Sequence, residues 1–144
     1  MTLTMTPSIT VPTNISHAHE HDNTHDHSHH RPVELSQEFI SKYEAQESPL
    51  SPMGTFVFYR TYSRFSTKLG RRETWIEACK RAVEYNVGLA YDHMLKIGYT
   101  PDLVEFNAEA EALFDSMYNT KQFVSGRTLW IGGGENAVAE KYPL

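Results

Sequence analysis

GRRETWIEACKRAVEYNVGL, residues 70–89, places Trp75, Ile76, Cys79, Ala82, Val83 and Asn86 at helical spacing over three turns. A stripe of this width buries one face against other helices, so the foldable part of the chain is read as mainly α. Gly88 marks the expected end of that helix, and the turn KLGRR (68–72) precedes it. Residues 89–99, around Tyr91, Met94, Leu95 and Ile97, read as a shorter helix or a loop closed by Gly98. Thr100-Pro101-Asp102 then has the form of a helix start, with Thr as N-cap, Pro in the first helical position and an acid in the first turn. The stripe Leu103, Phe106, Ala110, Leu113, Phe114 and Met117 carries that helix to about Asn119.

Upstream, Leu35, Phe39, Ile40 and Tyr43 share a helical stripe within 34–47, with Ser36 as N-cap. SPLSPMG (48–54) reads as a linker or turn because its two prolines oppose helix continuation. TFVFYRTYSRF (55–65) fits either a helix, with Phe58, Tyr62 and Phe65 aligned, or an aromatic-rich strand; helix is the preferred reading. Downstream, Thr128-Leu129-Trp130-Ile131 is a strand candidate. A single strand needs a neighbour for its backbone donors and acceptors. No second strand is apparent, so it is expected either to pair with a strand outside this chain or to lie unpaired on the helices, and the sequence reads as interrupted at Leu144.

Composition sets the outer limits. The chain has 144 residues, 40% of them hydrophobic, and no apolar run long enough for a membrane span. No Lys or Arg occurs in the first thirty residues, so there is no basic stretch of the kind that opens a secretory signal. One cysteine, Cys79, excludes an internal disulfide, a multi-cysteine zinc site and cysteine-pair redox chemistry within the chain. Its place on the apolar stripe predicts a buried, inert thiol. His93 stands apart from any carboxylate or cysteine at ligand spacing, and is expected to pack or cap.

The other seven histidines, His17, His19, His21, His25, His27, His29 and His30, form one tract with Asp22 and Asp26. Neutral imidazoles one or two residues apart can chelate Ni²⁺, Zn²⁺ or Cu²⁺. The surrounding residues 1–32 are too polar to build a core and are expected to be a disordered tail. Charge is segregated further on: 60–81 carry Arg60, Arg64, Lys68, Arg71, Arg72, Lys80 and Arg81 against Glu73 and Glu77, whereas 101–120 carry five acids and no base. Solvated or mutually attracting helix faces are the first reading, and arginines turned towards a phosphate the second. Gly132–Gly134 follow the strand candidate as a phosphate loop would, but no Lys-Ser/Thr follows them.

In order and spacing, YRTYSRF (59–65), GRRETWIEACKRAVEYNVGL (70–89) and SGRTLWIGGG (125–134) resemble the N-terminal region of adenosylcobalamin-dependent ribonucleoside-triphosphate reductases of the monomeric class II type. The resemblance implies a fold: the helical N-terminal region (33–124) of a ten-stranded α/β barrel, with 125–144 the approach to and start of the first barrel strand. It implies replacement of the ribose 2′-OH of a ribonucleoside triphosphate by hydrogen. That chemistry uses a thiyl radical generated with adenosylcobalamin, and a cysteine pair restored by thioredoxin.

The implied partners are the remainder of the reductase chain, the nucleotide substrate and thioredoxin, in the cytoplasm, with no membrane and no direct nucleic acid binding. Ser125, Gly126, Arg127 and Trp130 carry over as wall residues near the substrate pocket. Phe123-Val124 stand where other members tend to have Thr-Pro. Cys79 matches no functional cysteine of the family, so the chain is expected to be inactive alone. Two other readings remain: a small metal-binding protein acting through its histidines, or a helical interaction module docking through its charged segments.

Overall fold

A computed structural model of the chain describes residues 32–134. The tract 17–30 and residues 135–144 therefore lie outside the described residues, along with the expectations placed on them. The described elements are α1 (Gln37–Glu44), α2 (Pro52–Val57), a π-helical turn (Phe58–Tyr62), β1 (Phe65–Ser66), β2 (Arg71–Arg72), α3 (Trp75–Lys96), α4 (Leu103–Tyr118) and α5 (Gly126–Ile131).

Thr74 sets where α3 begins. Its Oγ1 accepts from the Glu77 amide at 3.4 Å, and the Glu77 carboxylate accepts from the Thr74 amide at 2.7 Å, a reciprocal capping box. The helix then runs 22 residues, through Gly88, where the sequence predicted an end. A glycine inside a helix costs only about 1 kcal/mol relative to alanine. Packing on either side of it outweighs that: Val87 is buried and Tyr91 meets Phe106 of α4 edge-on at 5.3 Å. The stop comes at Gly98, whose φ of +88° turns the chain while Ile97, Gly98 and Tyr99 donate to the last carbonyls of α3.

The start of α4 also differs from expectation. Asp102, not Thr100, is the N-cap, its Oδ1 accepting from Val104 at 2.8 Å. Pro101 is buried just outside the helix. Of the stripe, Ala110, Phe114 and Met117 are buried and Phe106 and Leu113 partly so, but Leu103 at the first turn is exposed; Tyr118 joins the buried face, and α3 and α4 form the most extensive pair in the fold.

Ser36 caps α1 through Phe39, as its position suggested. The helix then adds Phe39 and Tyr43 to a ring cluster with Phe114 and Tyr118. Leu35 lies before the helix, and its amide donates to the buried Glu84 of α3 at 2.9 Å.

The prolines of 48–54 do not keep that stretch non-helical throughout. Ser51 accepts from Gly54 and Pro52 occupies the first position of α2, where a missing N–H has no cost. The helical reading of 55–65 holds only to Tyr62. Ser63 leaves the helix, and Phe65, expected on the Phe58 stripe, instead pairs with Arg72 in a two-residue antiparallel ladder. Gly70, at φ +66°, makes the turn of that hairpin.

The largest correction concerns 125–134. The stretch expected to be a strand, Thr128–Ile131, is the body of α5. The Ser125 hydroxyl accepts from the Thr128 amide at 3.1 Å and starts the helix. A helix satisfies its own backbone, so the missing neighbour ceases to be a problem. Burial of Thr128 and Leu129 fixes it to the rest of the fold.

Candidate functional site

Beyond the burial of Thr128 and Leu129, one side chain ties the C-terminal end of α5 to α3. Arg81, buried in α3, forms a two-pronged ion pair with Glu73 (Nε–Oε1 2.6 Å, Nη2–Oε2 2.9 Å). The same guanidinium donates to the Leu129 carbonyl at 2.9 Å and the Gly132 carbonyl at 2.5 Å. It thus neutralises a buried carboxylate and satisfies carbonyls at the C-terminal end of α5. Glu73 in turn fixes the chain at Ser63–Arg64. Its carbonyl accepts from Ser63 Oγ at 2.8 Å, and its carboxylate from the Arg64 amide at 3.2 Å. The sequence shows Arg81 only as one of seven bases in a charged run; the partners that distinguish it are 48 and 51 residues away.

Gly132 has a packing role, not a phosphate-loop one. A Cβ there would lie 2.7 Å from Tyr85 Cδ1 and 2.8 Å from the Thr128 carbonyl, closer than atoms can approach.

The four residues assigned to a substrate wall sit on or beside α5, yet they do not converge. Ser125 is engaged as the cap, with its Oγ 2.8 Å from Thr128 Oγ1. Gly126 faces the Tyr62 ring and borders an apolar cleft of about 440 Å³ formed with Met53, Val57 and Phe123. Arg127 is exposed. Trp130, 49% exposed, borders a different cleft, where the Arg64 guanidinium lies 5.2 Å from its ring centre.

A larger cleft, about 630 Å³, lies beside Glu73, Glu77, Lys80, Arg81 and Glu84. Its charges are largely spent on one another: Arg71 meets Glu77 through two bonds of 2.8 Å, and Lys80 meets Glu84 at 2.8 Å. The Arg71 guanidinium holds the Glu77 carboxyl down at about 2 against the opposing effect of burial, helped by the capping bonds of Thr74. The basic segment thus finds its acids within and next to itself. Among the described residues no ion pair joins it to the acidic segment 101–120, whose Asp115 pairs with Lys121 and accepts from the Tyr43 hydroxyl.

Cys79 is fully buried, and burial pushes its thiol pKa up, as the inert reading expected. His93 is exposed in the last turn of α3, where its carbonyl accepts from Ile97. No group of three metal-ligating side chains occurs among the described residues.

A helical layer thus carries a short capped helix pinned by a buried ion pair. Residues 35–134 match the ribonucleotide reductase alpha domain, and the chain belongs to that family. It is 37% identical over 103 residues to the adenosylcobalamin-dependent ribonucleoside-triphosphate reductase of Lactobacillus delbrueckii subsp. bulgaricus, covering 70% of this chain and 14% of that protein. It is 38% identical over 104 residues to the enzyme of the same name from Levilactobacillus brevis, with the same coverage. A solved crystal structure of a B-12 dependent (class II) ribonucleotide reductase superimposes with a TM-score of 0.63 at 35% identity, over 72% of this chain and 14% of that one. The chain therefore spans about one seventh of the length of these relatives.

Proposed function

We propose that this chain is the N-terminal helical region of an adenosylcobalamin-dependent ribonucleoside-triphosphate reductase and acts only together with the remainder of that enzyme. The observation that carries this reading is the agreement of three comparisons over the same hundred or so residues, at 35–38% identity for the relatives cited. The remainder would supply the ten-stranded barrel, the radical and redox cysteines, and the surface that meets thioredoxin. Cys79 is the sole cysteine in the chain, and its buried thiol has neither the exposure nor the acidity of a reactive one.

Adenosylcobalamin does not fit the residues described here. The cleft of about 630 Å³ is walled by charged side chains, most of them ion-paired with one another or with a neighbour. Its cobalt–carbon bond supplies the radical when the whole enzyme is assembled, and we assign no residue of this chain to it. The contribution of this region is structural: Arg81 and Gly132 fix α5, and α5 presents Gly126, Arg127 and Trp130 towards the substrate side of the assembled enzyme. We place that enzyme in the cytoplasm, where thioredoxin can restore its cysteine pair. No helix among the described residues is long and apolar enough to cross a membrane.

The test is reconstitution. The chain is mixed with, or fused to, the C-terminal portion of a close relative, and ribonucleoside triphosphate reduction is followed with adenosylcobalamin and thioredoxin. Turnover is expected from the joined protein and from neither part alone. Turnover by this chain alone, or none from a joined protein shown to be folded, refutes the reading.

A further inference from the structure

Of the seven bases in 60–81, Arg71, Lys80 and Arg81 are ion-paired. Arg60, Arg64, Lys68 and Arg72 form no ion pair among the described residues, and the three arginines line one cleft of about 390 Å³. Thr61, Ser63, Thr67 and Trp130 complete most of its wall, and no carboxylate does. We propose that this cleft binds a polyphosphate chain, free or carried by a nucleotide.

Three guanidinium groups around one concavity repel one another, so gathering them has a cost that an anion in the cleft would relieve. Here they are collected by separate pieces of the chain: the π-helical turn brings Arg60, the exit from it Arg64, and β2 brings Arg72 across the ladder from Phe65. The frame is stiff. The Arg72 Nη1 donates to the Ser63 carbonyl at 2.6 Å, and Arg64 is held over the Trp130 ring. Glu73 fastens the backbone between them, with its amide donating to the Arg64 carbonyl at 2.7 Å. The Glu73 carboxylate, which accepts from the Arg64 amide, is already taken by Arg81.

Planar guanidiniums match phosphate oxygens in paired hydrogen bonds, and the exposed Thr61 hydroxyl adds a donor. The volume is that of a small-molecule site, which suits a short chain of closely spaced phosphates. The half-exposed Trp130 offers a surface beside it on which a nucleobase can lie.

The inference goes beyond the reductase reading and is tested without turnover, so either can fail while the other stands. The full 144-residue chain is titrated by calorimetry with inorganic triphosphate, ATP, and AMP at low salt and pH 8, with EDTA present to keep the histidine tract free of metal. Saturable binding of inorganic triphosphate is expected, about tenfold weaker in R60Q, as for loss of one charge-assisted contact. R72Q is expected to weaken it similarly, K42Q on α1 to leave it unchanged, and AMP to bind at least about tenfold less tightly than triphosphate. ATP binding tighter than triphosphate marks the nucleotide as the source, and equal binding marks the phosphate chain alone.

Arg60 is exposed and forms no ion pair among the described residues, so R60Q is expected to leave the fold unchanged; circular dichroism checks this. No saturable binding, equal binding by R60Q and the parent, or equal binding of AMP and triphosphate overturns the proposal.

Discussion

Replacing Arg81 by Met removes the guanidinium that joins Glu73, Leu129 and Gly132 while keeping the length and most of the apolar volume of the side chain. The pair is well shielded, with side-chain exposures of 8% and 12%. Breaking a buried pair by deleting one partner costs about 3–5 kcal/mol, because the other charge stays buried and unpaired. Loss of the two carbonyl contacts adds to this, offset where water reaches the freed groups. We expect R81M to lose about 4 kcal/mol, a large share of the roughly 5–15 kcal/mol of a small domain.

Urea unfolding at pH 7, followed by far-ultraviolet circular dichroism, measures the loss, and amide hydrogen exchange locates it. Exchange should rise first in 126–132, because α5 loses its anchor while the α3–α4 pair does not. The double variant E73L/R81M removes both charges and is expected to recover most of the loss, leaving about 1–2 kcal/mol for the unpaired Leu129 and Gly132 carbonyls. If R81M lies within about 1 kcal/mol of the parent, the ion pair behaves like a surface one and the account of how α5 is held is wrong.

Glu77 gives a pH dependence of definite sign. Its folded pKa lies near 2, below the ordinary 4.5, so its contribution is complete above pH 4.5 and is lost as pH falls towards 2. E77Q keeps the capping box but removes the titration, and should flatten that part of an acid-stability curve by about 1 kcal/mol, allowing for partial solvent screening. Thiol reagents should label Cys79 only as fast as the fold opens; rapid labelling of the native chain would contradict its burial. G132A should cost about 2 kcal/mol in thermal or urea unfolding, from forced contact with Tyr85 and the Thr128 carbonyl, and G134A, with its nearest neighbour at 3.7 Å, should cost little. The histidines of 17–30 are expected to take up Ni²⁺ in calorimetry, and deleting 17–30 should abolish that uptake without changing the reductase activity of the joined protein.

Some of this chain was legible residue by residue because the deciding interactions are local. Ser36 caps α1 through the Phe39 amide only three residues on, and the Phe106–Met117 stripe buries the face its spacing implies. Cys79 falls on the apolar stripe of α3 and is buried there, since helical periodicity alone fixes which side it takes. The family was legible as well, through the order and spacing of three short blocks.

The conformation of Thr128–Ile131 was decided elsewhere. Its β-branched and aromatic residues suit a strand, whereas the Ser125 cap, the burial of Thr128 and Leu129, the carbonyl-binding Arg81 and the close approach of Tyr85 to Gly132 hold it as a helix. The run through Gly88 was settled in the same way, by Val87 and Tyr91 packing towards α4, where a local rule predicted a stop. The arginine cleft follows the same division. The sequence determined that 60–81 is basic; the tertiary fold decided which bases find acids and which three are left facing one cleft. Ion pairing depends on distances in space, and those are set only when the hairpin, α3 and α5 have come together.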